Sequence, residues 1–184
     1  MINLNKLAAE IHEAAVKKKF WNKWQAADMH LAKMISELGE IVQADRMGMM
    51  YEVEHDGAKP EGVIAEMADF VMMAIDYAVV YRVNVKRAIV KGRRDNGTKN
   101  LESSSAHIYG NTKPYVHIMR IAKQWCDIPS NTYSQKHKKI AEALGDCVAL
   151  FEAYAYHHGF DLWKCIREKM AYNESRPALH GMNY

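Results

Sequence analysis

An all-α fold, a bundle of packed helices, follows from three features of this 184-residue chain. Apolar residues recur at helical spacing through most of its length. The 10 glycines and 4 prolines fall mostly between or at the ends of those stretches, and no alternating run of β-branched residues extends beyond a few positions. Composition agrees with an ordinary soluble globular chain: 49% hydrophobic and 26% charged residues, with 25 basic and 22 acidic side chains leaving +3. The length suffices to bury a core without a disulfide or structural metal. Three cysteines without CxxC spacing argue against a disulfide framework or zinc ribbon and for a reducing compartment.

The first helix is expected near 3–18. Its stretch MINLNKLAAEIHEAAVKKK carries acids and no apolar core of signal-peptide length, which disfavours secretion. The second, near 25–47, places Ala27, Leu31, Met34, Ile35, Leu38, Ile41 and Val42 in one arc. Glu37 and Glu40 share its flank, and His30 lies two turns earlier on the same edge. The third, near 61–82, is apolar around nearly its whole circumference, which predicts burial. Its acids Glu66, Asp69 and Asp76 fall on one narrow strip, and such a helix is too acidic for a membrane span. Further helices are expected near 84–95, 114–126, 134–158 and 161–173. Segments 48–60 and 97–113 read as loops, the second as a linker between a half at 1–96 and a half at 114–184.

Buried carboxylates crowded together lose hydration and repel, so a cation or proton is required among Glu37, Glu40, Glu66 and Asp69. Either pair alone has a bland reading, as a solvated flank or as partners of Arg or Lys. Together, ExxE followed by ExxD across a helix–loop–helix supplies hard oxygen ligands suited to Mg²⁺, with Mn²⁺ as substitute, beside a phosphate substrate. A ferritin-like di-iron centre would need ExxH on two helices, and the one ExxH, Glu52 to His55, lies in a loop.

These motifs resemble the MazG-like all-α nucleoside triphosphate pyrophosphohydrolases, in particular their short phage-type members. The resemblance runs through EIHEAAVKKKFW (10–21), SELGEIVQADR (36–46), AEMADFVMMAID (65–76) and KMAYNESRPALHG (169–181). It implies a Mg²⁺-dependent hydrolase converting a (deoxy)nucleoside triphosphate to the monophosphate and pyrophosphate. Glu37, Glu40, Glu66 and Asp69 match the metal motif, with Glu37 or Glu40 as the base. Asp76 matches a further acid on the substrate side. Lys169, Asn173 and Arg176 match phosphate ligands, with His180 beyond them, and Asn96 takes the asparagine position counted from Asp69. Trp21, Trp24, His30 and Trp125 are the aromatic residues offered for base stacking, although a tryptophan at a helix boundary equally suits a core. The resemblance further implies a cytoplasmic enzyme, in the host cytoplasm if phage-encoded, forming a dimer or dimer of dimers. Neither membrane nor nucleic acid is an expected partner.

The chain departs from the family pattern informatively. The family's lysine and asparagine follow the ExxD aspartate by 23 and 27 residues; from Asp69 this gives Gly92 and Asn96, from Asp146 it gives Lys169 and Asn173. IAEMADFVMMAIDYA (64–78) is echoed by IAEALGDCVALFEAYA (140–155), so an internal duplication is expected. The second copy keeps Glu142 and Asp146 but has no ExxE before them. One composite site is expected, with acids from the first copy and phosphate ligands from 169–180. The basic run KGRRDNGTK (91–99) either grips phosphate or is a solvated helix end. Two other readings stand beside this one: a phosphoribosyl-ATP pyrophosphatase, and a non-catalytic helical scaffold or nucleic-acid-binding module using KGRR.

Overall fold

The computed structural model describes residues 2–21, 27–55, 58–113, 116–117, 120–121, 123 and 133–177. Among these residues the chain is helical throughout its regular structure: α1 (Leu4–Lys17), α2 (Ala27–Met47), α3 (Val63–Val80), α4 (Val85–Asp95), α5 (Ser104–Gly110), α6 (Tyr133–His157) and α7 (Leu162–Ser175). Extended pairing among them is confined to a bridge between Glu52 and Glu61. No helix among the described residues is long and apolar enough to cross a membrane. The helix expected at 114–126 lies largely outside the described residues; those described there, 116–117, 120–121 and 123, are helical.

Helix α5 corrects the expectation of a loop at 97–113. Ser103 Oγ accepts from the Ala106 amide at 3.2 Å, so the serine run that reads as a linker is in fact an N-cap. Ala106 and Gly110 are buried. Two compact units form, one from Met1–Asp76 with Trp163–Tyr184 and one from Tyr77–Leu162. Their boundaries fall inside α3 and at the start of α7, away from 97–113.

In the first unit, Asn3 caps α1 by accepting from the Lys6 amide, and Leu4, Leu7, Ala8 and Ile11 are buried. Helix α2 buries Met34, Leu38, Ile41 and Ala44. Ile35, expected in the same arc, is 57% exposed, because the buried arc is narrower than the apolar one. The loop from 48 to 62 folds back so that Val63 and Ile64 donate to the carbonyls of Met49 and Met50 at 2.9 and 3.0 Å, which satisfies two orphan amides at the start of α3. Gly62 makes this close approach possible: its φ is +98°, and a Cβ there would lie 2.9 Å from the Met49 oxygen. Helix α3 then buries Val63, Ile64, Met67, Phe70 and Val71 almost completely. Helix α7 adds Cys165, Ile166 and Lys169 to the interior, its Arg167 pairs with Glu10 of α1, and Lys18 donates to the carbonyls of Glu174 and Arg176 at its end.

In the second unit, α4 and α6 meet at paired glycines. A Cβ on Gly92 would lie 2.2 Å from the Gly145 oxygen, and one on Gly145 would lie 2.2 Å from the Ala88 oxygen. Arg93 clamps the same pair of helices through two 2.7 Å bonds to Glu152. Gly92→Ala gains about 1 kcal/mol of helix propensity, but the backbone clash costs about 1–3 kcal/mol or more. The melting temperature is therefore expected to fall; a rise would show that the two helices can separate freely.

The turns that close the two echoed segments match bond for bond in the register that aligns Asp69 with Asp146. Val83 and Arg82 donate to Ala78 and Val79 at 2.8 and 3.0 Å, while Phe160 and Gly159 donate to Ala155 and Tyr156 at 2.9 and 3.0 Å. Arg82 and Gly159 both have positive φ, 56° and 83°. Helix α1 ends on a turn of the same kind at Lys19. The likeness therefore lies in the register rather than in the turn type.

Candidate metal centre

Glu37 and Glu40, one turn apart on α2, lie on one side of that helix. Together with Glu66 of α3 they bring one carboxylate oxygen each within 4.8 Å of one another. Glu66 is buried, Glu37 half-buried and Glu40 exposed. Asp69, one turn after Glu66, receives the Lys169 ammonium at 2.5 Å, and Lys169 also donates to the Pro60 carbonyl at 3.1 Å. Lys169 is 1% exposed. The four expected metal acids and the expected phosphate-binding lysine thus converge within the first unit.

The electrostatics report an excess of negative charge. Two carboxylates about 5 Å apart repel by about 3 kcal/mol at an effective dielectric near 20. Burial, followed by the charges of Asp69, Glu40 and Glu66, pushes the Glu37 carboxyl up to about 8 against the pull of Lys169. Burial also raises Glu66 and Asp69, with Lys169 opposing it at both. Lys59, in the loop before α3, is a cation that sequence reasoning missed. Burial works to lower its pKa, but Glu66, Glu61 and Asp69 together raise it, and its ammonium is 3.4 Å from Glu61.

A pH dependence follows. An unfolded glutamate releases its proton near 4.5 and folded Glu37 near 8, so the metal-free fold holds a proton that the unfolded chain gives up between those values. Its stability is therefore lost as pH rises through that window. His30 acts in the opposite sense, since burial holds it down to about 4, but only below its ordinary 6.5. Thermal melts in chelator between pH 6.5 and 8 isolate the carboxylate effect: the midpoint is expected to fall by a few degrees in the wild type and less in Glu37→Gln. Equal slopes in the two proteins would contradict the assignment.

Asp76 lies two turns beyond Asp69, about 10 Å further along α3. Its carboxylate accepts from His12 Nδ1 at 2.7 Å and from Trp21 Nε1 at 2.5 Å; burial raises its pKa while both donors pull it down. His30 Nε2 stands 4.0 Å from it, and because His30 is held neutral this approach is not an ion pair. The Trp21 and His30 rings stack with centroids 4.4 Å apart and an interplanar angle of 17°. Trp21 is therefore engaged within the protein through both its indole N–H and this ring contact. His12 carried no signal beyond its place in a quoted stretch, since one histidine on a helix flank has no periodic partner. Trp24, Trp125 and His180 lie outside the described residues.

Asn173, one turn after Lys169, is half-buried, and the Arg176 guanidinium stands 5.8 Å from the centre of the Tyr172 ring. Asn96 belongs to the other unit, where its side chain donates to the Gly92 carbonyl at 2.9 Å and to Asp146 at 3.3 Å. The basic run beside it is matched by local acids: Lys91 and Arg94 both bond Asp95, and Arg93 bonds Glu152. Glu142 is exposed and Asp146 half-buried.

Comparison of the chain with protein-family models, with curated proteins and with solved structures finds no match.

Proposed function

We propose that the chain is a Mg²⁺-dependent (deoxy)nucleoside triphosphate pyrophosphohydrolase with a MazG-like arrangement of helices, releasing a nucleoside monophosphate and pyrophosphate. One observation carries the reading: the ExxE of α2, the ExxD of α3 and Lys169 of α7, far apart in the chain, meet at a single partly buried point. The donor set is all oxygen, with no cysteine or histidine, which suits a hard divalent cation. Mg²⁺ held by Glu37, Glu40 and Glu66, with Asp69, would supply neutralisation of phosphate charge and acidification of an attacking water.

The protein groups divide the remaining work. Glu37 or Glu40 accepts the proton of the attacking water, the two being the acids that α2 contributes to the cluster, half-buried and exposed respectively. Lys169 balances negative charge that moves onto the leaving pyrophosphate, with Arg176 as a second cation carried by the same segment and Lys59 at the rim. Asp76, with His12, Trp21 and His30, forms a second polar cluster two turns along α3, on the side left for the nucleoside. The paired turns and the shared register support an internal duplication in which the first copy keeps the acids and the second keeps the lysine. Gly92, in the lysine position of the first copy, has been taken over by helix packing against Gly145.

A pyrophosphate-release assay over the common ribo- and deoxyribonucleoside triphosphates, with and without Mg²⁺, tests the reading. Release with Mg²⁺ and none in chelator is expected. Absence of turnover across the panel would favour a silent scaffold.

A further inference from the structure

Lys169 lies among the carboxylates, in a position a cation would take. A lysine poised for phosphate would aim its donors at the incoming anion, yet two of its three are directed to protein oxygens, Asp69 Oδ2 at 2.5 Å and the Pro60 carbonyl at 3.1 Å. Its 1% exposure shows that the ammonium is drawn inside. Glu37, Glu40 and Glu66 meanwhile bring their oxygens together as a set of three, to which Asp69 does not belong. Hence the fourth acid of the motif is held by an internal cation.

We infer that Lys169 is the resident counter-ion of Asp69 in the nucleotide-free protein, and that a triphosphate draws the ammonium away and releases Asp69 as a metal ligand. The inference rests on the metal–triphosphate reading of this site. Its consequence is an order of assembly. A divalent cation arriving alone meets three carboxylates and a competing ammonium, whereas a cation–triphosphate complex brings the anion that takes over the ammonium and so meets four acids. The protein is therefore built to take the cation together with the triphosphate. The bond to Pro60 ties the same exchange to the loop before α3, because a lysine that leaves Asp69 also leaves that carbonyl.

Mn²⁺ binding to nucleotide-free protein, followed by the electron paramagnetic resonance signal of free Mn²⁺, tests this without turnover. Glu40→Gln is expected to weaken binding about tenfold or more, while the charge-neutral removal of the whole pair, Asp69→Asn with Lys169→Met, changes it by less than about twofold, since Asp69 is already held by Lys169. Lys169→Met, which keeps the volume, is expected to tighten binding about tenfold, a usual size for coupling between sites, and adding Asp69→Asn should remove that gain. Should Lys169→Met fail to fold, Lys169→Gln can keep one hydrogen bond to the same partners without the charge, and the same gain is expected. Mn²⁺ that needs Glu40 but is unaffected by both Lys169 variants, or is tightened by Lys169→Met just as much when Asp69→Asn is added, overturns the inference and leaves the metal site standing. Mn²⁺ that binds no variant, or is indifferent to Glu40→Gln, overturns the metal reading and the inference with it.

Discussion

Glu40→Gln and Asp69→Asn are each expected to lower kcat/KM for the Mg²⁺–triphosphate by about a hundred- to a thousandfold, the size of effect seen when one charge-stabilising group is removed from a preorganised site. The amide fills the same volume and withdraws a charged ligand, so the helices stay in place. Stability separates the two variants. Glu40→Gln removes repulsion from a cluster whose oxygens lie within 4.8 Å of one another, and it should melt at or above the wild type. Asp69→Asn leaves the buried Lys169 ammonium without its anionic partner at 2.5 Å, and it should melt lower. Circular dichroism melts beside steady-state kinetics check both halves. Wild-type turnover by either variant would rule out the assigned site.

The second large effect concerns the lysine. Lys169→Met is expected to lower kcat or raise KM for the triphosphate about ten- to a hundredfold, because it removes a contact that strengthens as charge develops on phosphate. Arg176→Ala should act in the same direction and less strongly, as its guanidinium lies over Tyr172 at the end of α7 rather than among the acids. The double variant Glu142→Gln with Asp146→Asn should keep turnover near the wild-type level: Glu142 is exposed, and Asp146 is engaged with Asn96 in the other unit. Equal losses in the two sets would remove the distinction between a live and a degenerate copy.

The acids were legible because their signal is local. A three-residue spacing puts two carboxylates on one side of a helix whatever the tertiary structure, and a helix apolar around its whole circumference announces its own burial, which Glu66 and Asp76 share. Lys169 was legible as a spacing from Asp146, but its partner is Asp69, and only the meeting of α7 with α3 reveals that. The Pro60 carbonyl left no trace in the sequence, since any residue carries one. His12 was invisible for a related reason: its meaning comes from Asp76, far along the chain. Helix α5 reads as loop in the sequence because its seven residues, SSAHIYG, span too few turns to show an amphipathic period, and serines serve turns and caps alike. Ile35 shares the apolar arc of α2 and is nonetheless exposed, because periodicity gives the centre of such an arc better than its edge.

The most direct test of the central claim is ³¹P NMR of a deoxynucleoside triphosphate incubated with wild-type protein and Mg²⁺. Equal growth of monophosphate and pyrophosphate signals is predicted, absent in chelator and slowed about a hundredfold or more with Asp69→Asn. Formation of diphosphate and orthophosphate, turnover that persists in chelator, or an unreacted triphosphate would contradict it.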